Sequence, residues 1–168
     1  MSAHAKQAFL QTYDNEHATT MRLLRAYPED KLDLKPSEKM KNARDLAFIF
    51  VLECGLGMKV WNDEFGKKAP TQGATLTAPE KWSDLLAAVE KASADFRALI
   101  ANASEEELQQ EVHFFVGPKK MGTFTRMNFA WFLLHDQIHH RGQLSVYARI
   151  AGAKLPSIYG PTADEPWI

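Results

Sequence analysis

The chain has 168 residues, 45% apolar and 24% charged, enough to bury one core without disulfides and far from the composition of a disordered segment. Its 20 basic and 21 acidic residues are spread along the length and leave a formal charge of -1, so no electrostatic footprint for nucleic acid or an acidic membrane is visible. Cys54 is the only cysteine, which excludes a disulfide framework and any CxxC motif, and the opening Met1-Ser2-Ala3-His4-Ala5-Lys6-Gln7 lacks the basic start and apolar run of a secretory leader.

One cytoplasmic domain spanning residues 1–168 is therefore expected. The first helix should run from Ser2 or Ala3 to Ala26, with Leu10, Tyr13, His17, Met21 and Leu24 on one face and Pro28-Glu29-Asp30 ending it. Residues 31–40 read as a connector, because Pro36 follows polar residues and no helical stripe continues through them. A second helix starts at Asn42, which forms a capping pair with Asp45. Ala43, Ala47, Phe50, Cys54, Met58, Trp61 and Phe65 make its apolar face, and the run from Ala47 to Leu52, apolar all round, makes it central.

A polar loop with Pro70 and Gly73 follows, and Thr77-x-x-Glu80 has the pattern of a capping box opening a third helix, with Pro79 in its first turn. Trp82, Leu85, Leu86, Val89, Phe96, Leu99 and Ile100 form that helix's stripe, and Ser104-x-x-Glu107 caps a short further turn. Residues 112–122 read as an extended excursion. The last helix spans Thr125 to Ala151 and stops at Gly152, and the segment after it is too rich in proline and glycine for helix. Four amphipathic helices joined in this way predict an all-α, up-down four-helix bundle with an irregular C-terminal tail.

Chemistry is most concentrated in His135-Asp136-Gln137-Ile138-His139-His140-Arg141. His135 and His139 are four residues apart, about 400° of rotation and roughly 6 Å of rise on a helix, so both imidazoles project from one face and can chelate one divalent metal. Trp131 or Phe132, Gly142 and Val146 share that face, which points the pair toward the bundle core. Read without a metal, such histidines are core or boundary residues bonded to carbonyls. His140 lies about 100° further round and reads as a boundary hydrogen-bonder, while Asp136 reads as solvent-facing.

The run His135-Asp-Gln-Ile-His-His-Arg-Gly-Gln-Leu-Ser-Val-Tyr, followed by Leu155-Pro-Ser-Ile-Tyr-Gly-Pro-Thr-Ala-Asp-Glu, resembles the C-terminal signature of the DinB-like superfamily of four-helix-bundle proteins. Residues 23–32 and Ala43-Arg44-Asp45-Leu46-Ala47 resemble it too, so the likeness spans most of the chain. The resemblance implies a homodimer and a divalent metal, zinc or nickel, held by three histidines, one on the second helix and two on the fourth. It also implies kinship with transferases that use small thiols such as bacillithiol or mycothiol. His135 and His139 match the two fourth-helix ligands. At the second-helix position stands Phe48, which cannot ligate a metal.

Three arrangements follow from that departure: loss of the metal with Phe48 packed against the histidines, closure of the site by another ligand such as His17, or a weak site completed by water or substrate. Glu53, about 140° around its helix from Phe48, does not reach the same point in this reading. Cys54 reads as a buried small hydrophobe. Two functions remain open. One is a metal-dependent thiol transferase or hydrolase acting on a small molecule, and the other is a non-catalytic dimeric bundle that binds a ligand or a protein after losing its metal.

Overall fold

The computed structural model describes residues 3–67 and 76–168. Ser2, Pro70 and Gly73 lie outside the described residues. Four long helices carry the fold: α1 (Ala3–Ala26), α2 (Ala43–Trp61), α4 (Trp82–Asn102) and α6 (Arg126–Ile150). Shorter pieces join them, namely a 3-10 turn (Glu29–Lys31), α3 (Glu64–Lys67), α5 (Glu105–Gln109) and a hairpin of β1 (Glu111–Gly117) and β2 (Lys120–Thr125). α1 packs on α4 and α6, and α2 packs on the same two helices, so α1 and α2 occupy opposite corners. The expected four-helix bundle is the observed one, and α6 is the corner shared by α1 and α2.

Local chemistry sets most of the helix ends. The Asn42 side chain accepts the Asp45 N–H at 2.8 Å, as the capping pair requires. Ser104 and Glu107 form a reciprocal capping box at α5, and Thr125 caps α6 through the Asn128 N–H at 3.2 Å. α6 ends at Ile150, and Gly152 takes φ +80°, where a side chain would be strained.

Two boundaries differ from expectation. α4 begins at Trp82 with Lys81 before it, and no side chain caps it, so the Thr77–Glu80 box does not form and Pro79 precedes the helix. Trp82 is the first fully buried residue of this stretch, its ring centroid lying 6.0 Å from that of Tyr27, and tertiary docking outweighs the local cap. α2 stops at Trp61 rather than continuing through Phe65. Asp63 takes φ 52°, and its carboxylate accepts the His113 backbone N–H at 2.8 Å, which ties the turn to β1. Phe65 then stacks edge-on against Phe114 of the hairpin, with centroids 5.3 Å apart.

The extended excursion is an antiparallel hairpin pairing Val112 with Phe124 and Phe114 with Gly122. Its inner aromatics cover one end of the bundle with Val60 and Phe129. The tail after α6 is strapped down. Arg22 donates to the Ser157 carbonyl at 3.0 Å, Glu165 accepts the Ser157 N–H at 2.6 Å, and Asp164 accepts from Arg149 and from the Leu155 N–H. No described helix is long and apolar enough to cross a membrane.

Candidate metal centre

α2 and α6 meet along the middle of both helices, and there α2 places Glu53 on a face that is otherwise apolar. Asp136 and His140, one turn apart on α6, face it. His140 Nε2 lies 3.3 Å from Glu53 Oε1 and 3.8 Å from Asp136 Oδ1. The three donor atoms all lie within 4.8 Å of one another, and among the described residues no other group of three such donors does so.

The Glu53 carboxylate is nearly sealed, its side chain 7% exposed, and neither oxygen has a hydrogen-bond partner. The approach of His140 has ion-pair distance without hydrogen-bond alignment. Burial pushes the Glu53 carboxyl up to about 9, and the neighbouring Asp136 carboxylate adds to the shift, because a second negative charge so close disfavours ionisation. A buried carboxylate with two unsatisfied oxygens is costly unless something positive meets it.

The imidazole is held in one orientation. His140 Nδ1 lies 3.0 Å from Gln143 Oε1, so with the amide in this orientation Nδ1 donates and Nε2 turns a lone pair toward the two carboxylates. Gln143 Nε2 in turn donates to His139 Nε2 at 3.0 Å. An outer amide that fixes the tautomer of an inward imidazole is the usual support of a metal-ligating histidine. Ligands at about 2.0–2.2 Å from one tetrahedral zinc stand roughly 3.3–3.6 Å apart, close to the spacing found here. The residues present therefore fit a divalent cation, with two carboxylate donors and one imidazole.

The residues singled out from spacing sit elsewhere. His135 and His139 share one face, as expected, but it is the solvent face: both are exposed and do not look into the core. His135 packs beside Trp131, with ring centroids 6.0 Å apart. Phe48 is buried in the apolar cluster with Leu144, Tyr147 and Ala148. His17 is half-buried and lines a small polar cavity of about 10 Å³ with Thr20, Cys54, Ser93 and Gln137, the space of about one water. It is not grouped with the other histidines as a substitute ligand.

His140, read from sequence as a boundary hydrogen-bonder, is one: it is part-buried and bonded to Gln143. Asp136, read as solvent-facing, keeps a side chain 45% exposed but turns toward His140, and Glu53, read as out of reach of the Phe48 position, meets these two residues of α6 instead. The available signal was that Asp136 and His140 repeat the four-residue spacing of His135 and His139, next to a lone glutamate in an apolar helix face. Cys54 is buried, its thiol pushed up to about 11 by burial, and Gln137 Nε2 donates to its sulfur at 3.6 Å. That matches its reading as a small hydrophobe. Arg141, beside His140, turns to α1, where it is fully buried and meets Glu16 Oε2 at 2.6 Å.

Comparison with known proteins agrees with the architecture. The protein YrdA of Bacillus subtilis strain 168, described as uncharacterized, is 26% identical over 158 residues, which is 94% of this chain and 89% of that protein. A DinB-like protein from Bacillus cereus superposes with a TM-score of 0.70 at 22% identity, over 91% of this chain and 97% of its own. The DinB-like protein YjoA of Bacillus subtilis gives 0.67 at 18% identity, over 90% and 97%, and these two likenesses concern the fold. The sequence profile of the DinB family matches residues 1–167, and the chain belongs to that family.

Proposed function

We propose that this protein binds one divalent cation through Glu53, Asp136 and His140 and uses it in a thiol-transfer or hydrolytic reaction on a small molecule. The observation that carries the reading is the Glu53 carboxylate, buried with two unpartnered oxygens beside a second carboxylate and an imidazole whose lone pair faces it. Zinc or nickel suits this set of one nitrogen and two oxygens. When bound, the cation would supply Lewis acidity that lowers the pKa of a coordinated water or thiol. The chain's own residues hold the charge: Glu53 and Asp136 neutralise it, and Gln143 keeps His140 in the ligating tautomer.

A second reading rests on the raised Glu53 pKa. Without a cation, Glu53 stays protonated near neutral pH and the triad is a polar contact holding α2 to α6, as a non-catalytic bundle would need. Titration of tag-free protein with zinc and with nickel, compared with Glu53→Gln and Asp136→Asn, separates the two. The metal reading expects one equivalent bound per chain and a raised melting temperature that both substitutions remove. Absence of binding by the unsubstituted protein for either ion would leave the non-catalytic reading.

A further inference from the structure

Near the middle of the four long helices the bundle core turns polar on every helix at once. His17 and Thr20 of α1, Cys54 of α2, Ser93 of α4 and Gln137 of α6 surround the cavity of about 10 Å³, and the rest of its wall, Phe50 and Val89, is apolar. Tyr13, His17 and Thr20 follow at steps of four and three residues, so one face of α1 carries all three toward the interior. Apolar side chains would fill such a layer without needing partners. Thr20 is 5% exposed, and among the described residues its hydroxyl makes no hydrogen bond, nor does the His17 ring. Two polar groups therefore face this cavity unpaired.

The sulfur in its wall is already surrounded by donors. Gln137 Nε2 donates to Cys54 Sγ at 3.6 Å, and the Tyr13 hydroxyl lies 3.7 Å from the same sulfur. Tyr13 accepts from Ser93 Oγ at 3.0 Å, which leaves its own proton for the sulfur or for the Ser93 carbonyl at 3.5 Å. Donors aimed at a sulfur favour its thiolate. Burial alone keeps the thiol protonated, and a coordinated cation reverses that balance. Burial also keeps His17 neutral, so its ring offers a nitrogen lone pair.

The charge of the wall decides which cation fits. No acidic residue lines the cavity, so a divalent ion on one thiolate would leave a buried charge uncompensated, whereas a monovalent ion makes a neutral pair. Sulfur and imidazole nitrogen favour a soft ion over sodium or potassium, and copper(I) accepts two ligands in line. We propose that Cys54 and His17 bind one copper(I) ion inside the bundle. The sulfur–copper bond forms as the thiol releases its proton to solvent, the imidazole supplies the second bond, and copper stays in its +1 state. His17 and Gln137, the two lining residues that are only half-buried, mark the side from which the ion enters. This site shares no ligand with the Glu53 centre and does not depend on it.

Tag-free protein is titrated without oxygen with copper(I) held by a coloured chelator that competes for it. The expected result is one equivalent of copper per chain, an ultraviolet thiolate-to-copper band, and a raised melting temperature. Cys54→Ala removes the band and the bound copper, and His17→Leu keeps the circular dichroism spectrum while lowering affinity about tenfold or more. His135→Ala, on the outer face of α6, changes neither. Copper held equally well by Cys54→Ala or by His17→Leu overturns the proposal. So does a protein that takes no copper from the chelator, which leaves the cavity to water alone.

Discussion

His140 Nε2 stands 3.3 Å from Glu53 Oε1 across the contact between α2 and α6, and the carboxylate it approaches has no hydrogen bond of its own. The pair bridges α2 and α6 beside the Asp136 carboxylate. Replacing Glu53 by glutamine keeps the shape and removes the charge. Metal-free Glu53→Gln should fold with stability equal to or above the parent near pH 8, while its affinity for zinc falls by about a hundredfold or more, as losing a ligand must exceed the usual outer-shell effect. Chemical denaturation and calorimetric titration read the two effects separately.

The pH dependence of the metal-free protein has a defined sign. Glu53 has a folded pKa of about 9 against an ordinary 4.5, so between these values the folded state holds a proton that the unfolded state has released. Its contribution to stability is complete below pH 4.5 and is lost as pH rises toward 9. The stability profile of the parent should therefore fall more steeply over that range than that of Glu53→Gln. Zinc needs the ionised carboxylate, so binding near pH 7 should release a proton, seen as a dependence of the binding heat on the buffer's ionisation enthalpy.

Gln143 positions His140 without belonging to the donor set. Gln143→Leu should leave the fold intact and lower zinc affinity about 10–100-fold, because the imidazole loses the acceptor that fixes its tautomer. Gln143→Glu, which still accepts from Nδ1, should restore most of the binding. Equal affinity for the leucine variant and the parent would contradict this role.

Arg141 is fully buried between Glu16 and the tail. Its guanidinium meets Glu16 Oε2 at 2.6 Å and donates to the Glu16 carbonyl at 3.0 Å and to the Tyr159 hydroxyl at 2.6 Å, while that hydroxyl donates to Glu16 at 2.9 Å. Arg141→Ala leaves the Glu16 charge uncompensated and should cost about 3–5 kcal/mol in urea denaturation. Tyr159→Phe removes only the hydroxyl and should cost about 1 kcal/mol.

Gly57 is the glycine the core requires. A Cβ there would lie 2.5 Å from Phe96 Cε2 and 2.9 Å from Leu133 Cδ2, where α2 meets α4 and α6. Gly57→Ala should destabilise by about 1–3 kcal/mol through overpacking, although alanine is the better helix former. A stabilised variant in thermal melts would mean that the three helices relax apart at no cost.

The sequence by itself determined the elements: four amphipathic helices, the caps at Asn42, Ser104 and Thr125, the stop at Gly152, and the stretch that became the hairpin. These depend on residues within a turn or two of one another, so periodicity and side-chain chemistry suffice to place them. Family membership was legible for the same reason, in the run from His135 through the tail. The Thr77 cap and the extension of α2 through Phe65 failed because distant partners, Tyr27 for Trp82 and His113 for Asp63, decided those boundaries. Only the tertiary structure decided the site. His135 with His139 and Asp136 with His140 have identical spacing, and one residue of rotation about α6, about 100°, exchanges which pair meets α2. That rotation is set by how Leu133, Leu134, Leu144 and Tyr147 pack against three other helices, and the same packing brings a buried glutamate 83 residues away, Glu53 against Asp136, into reach.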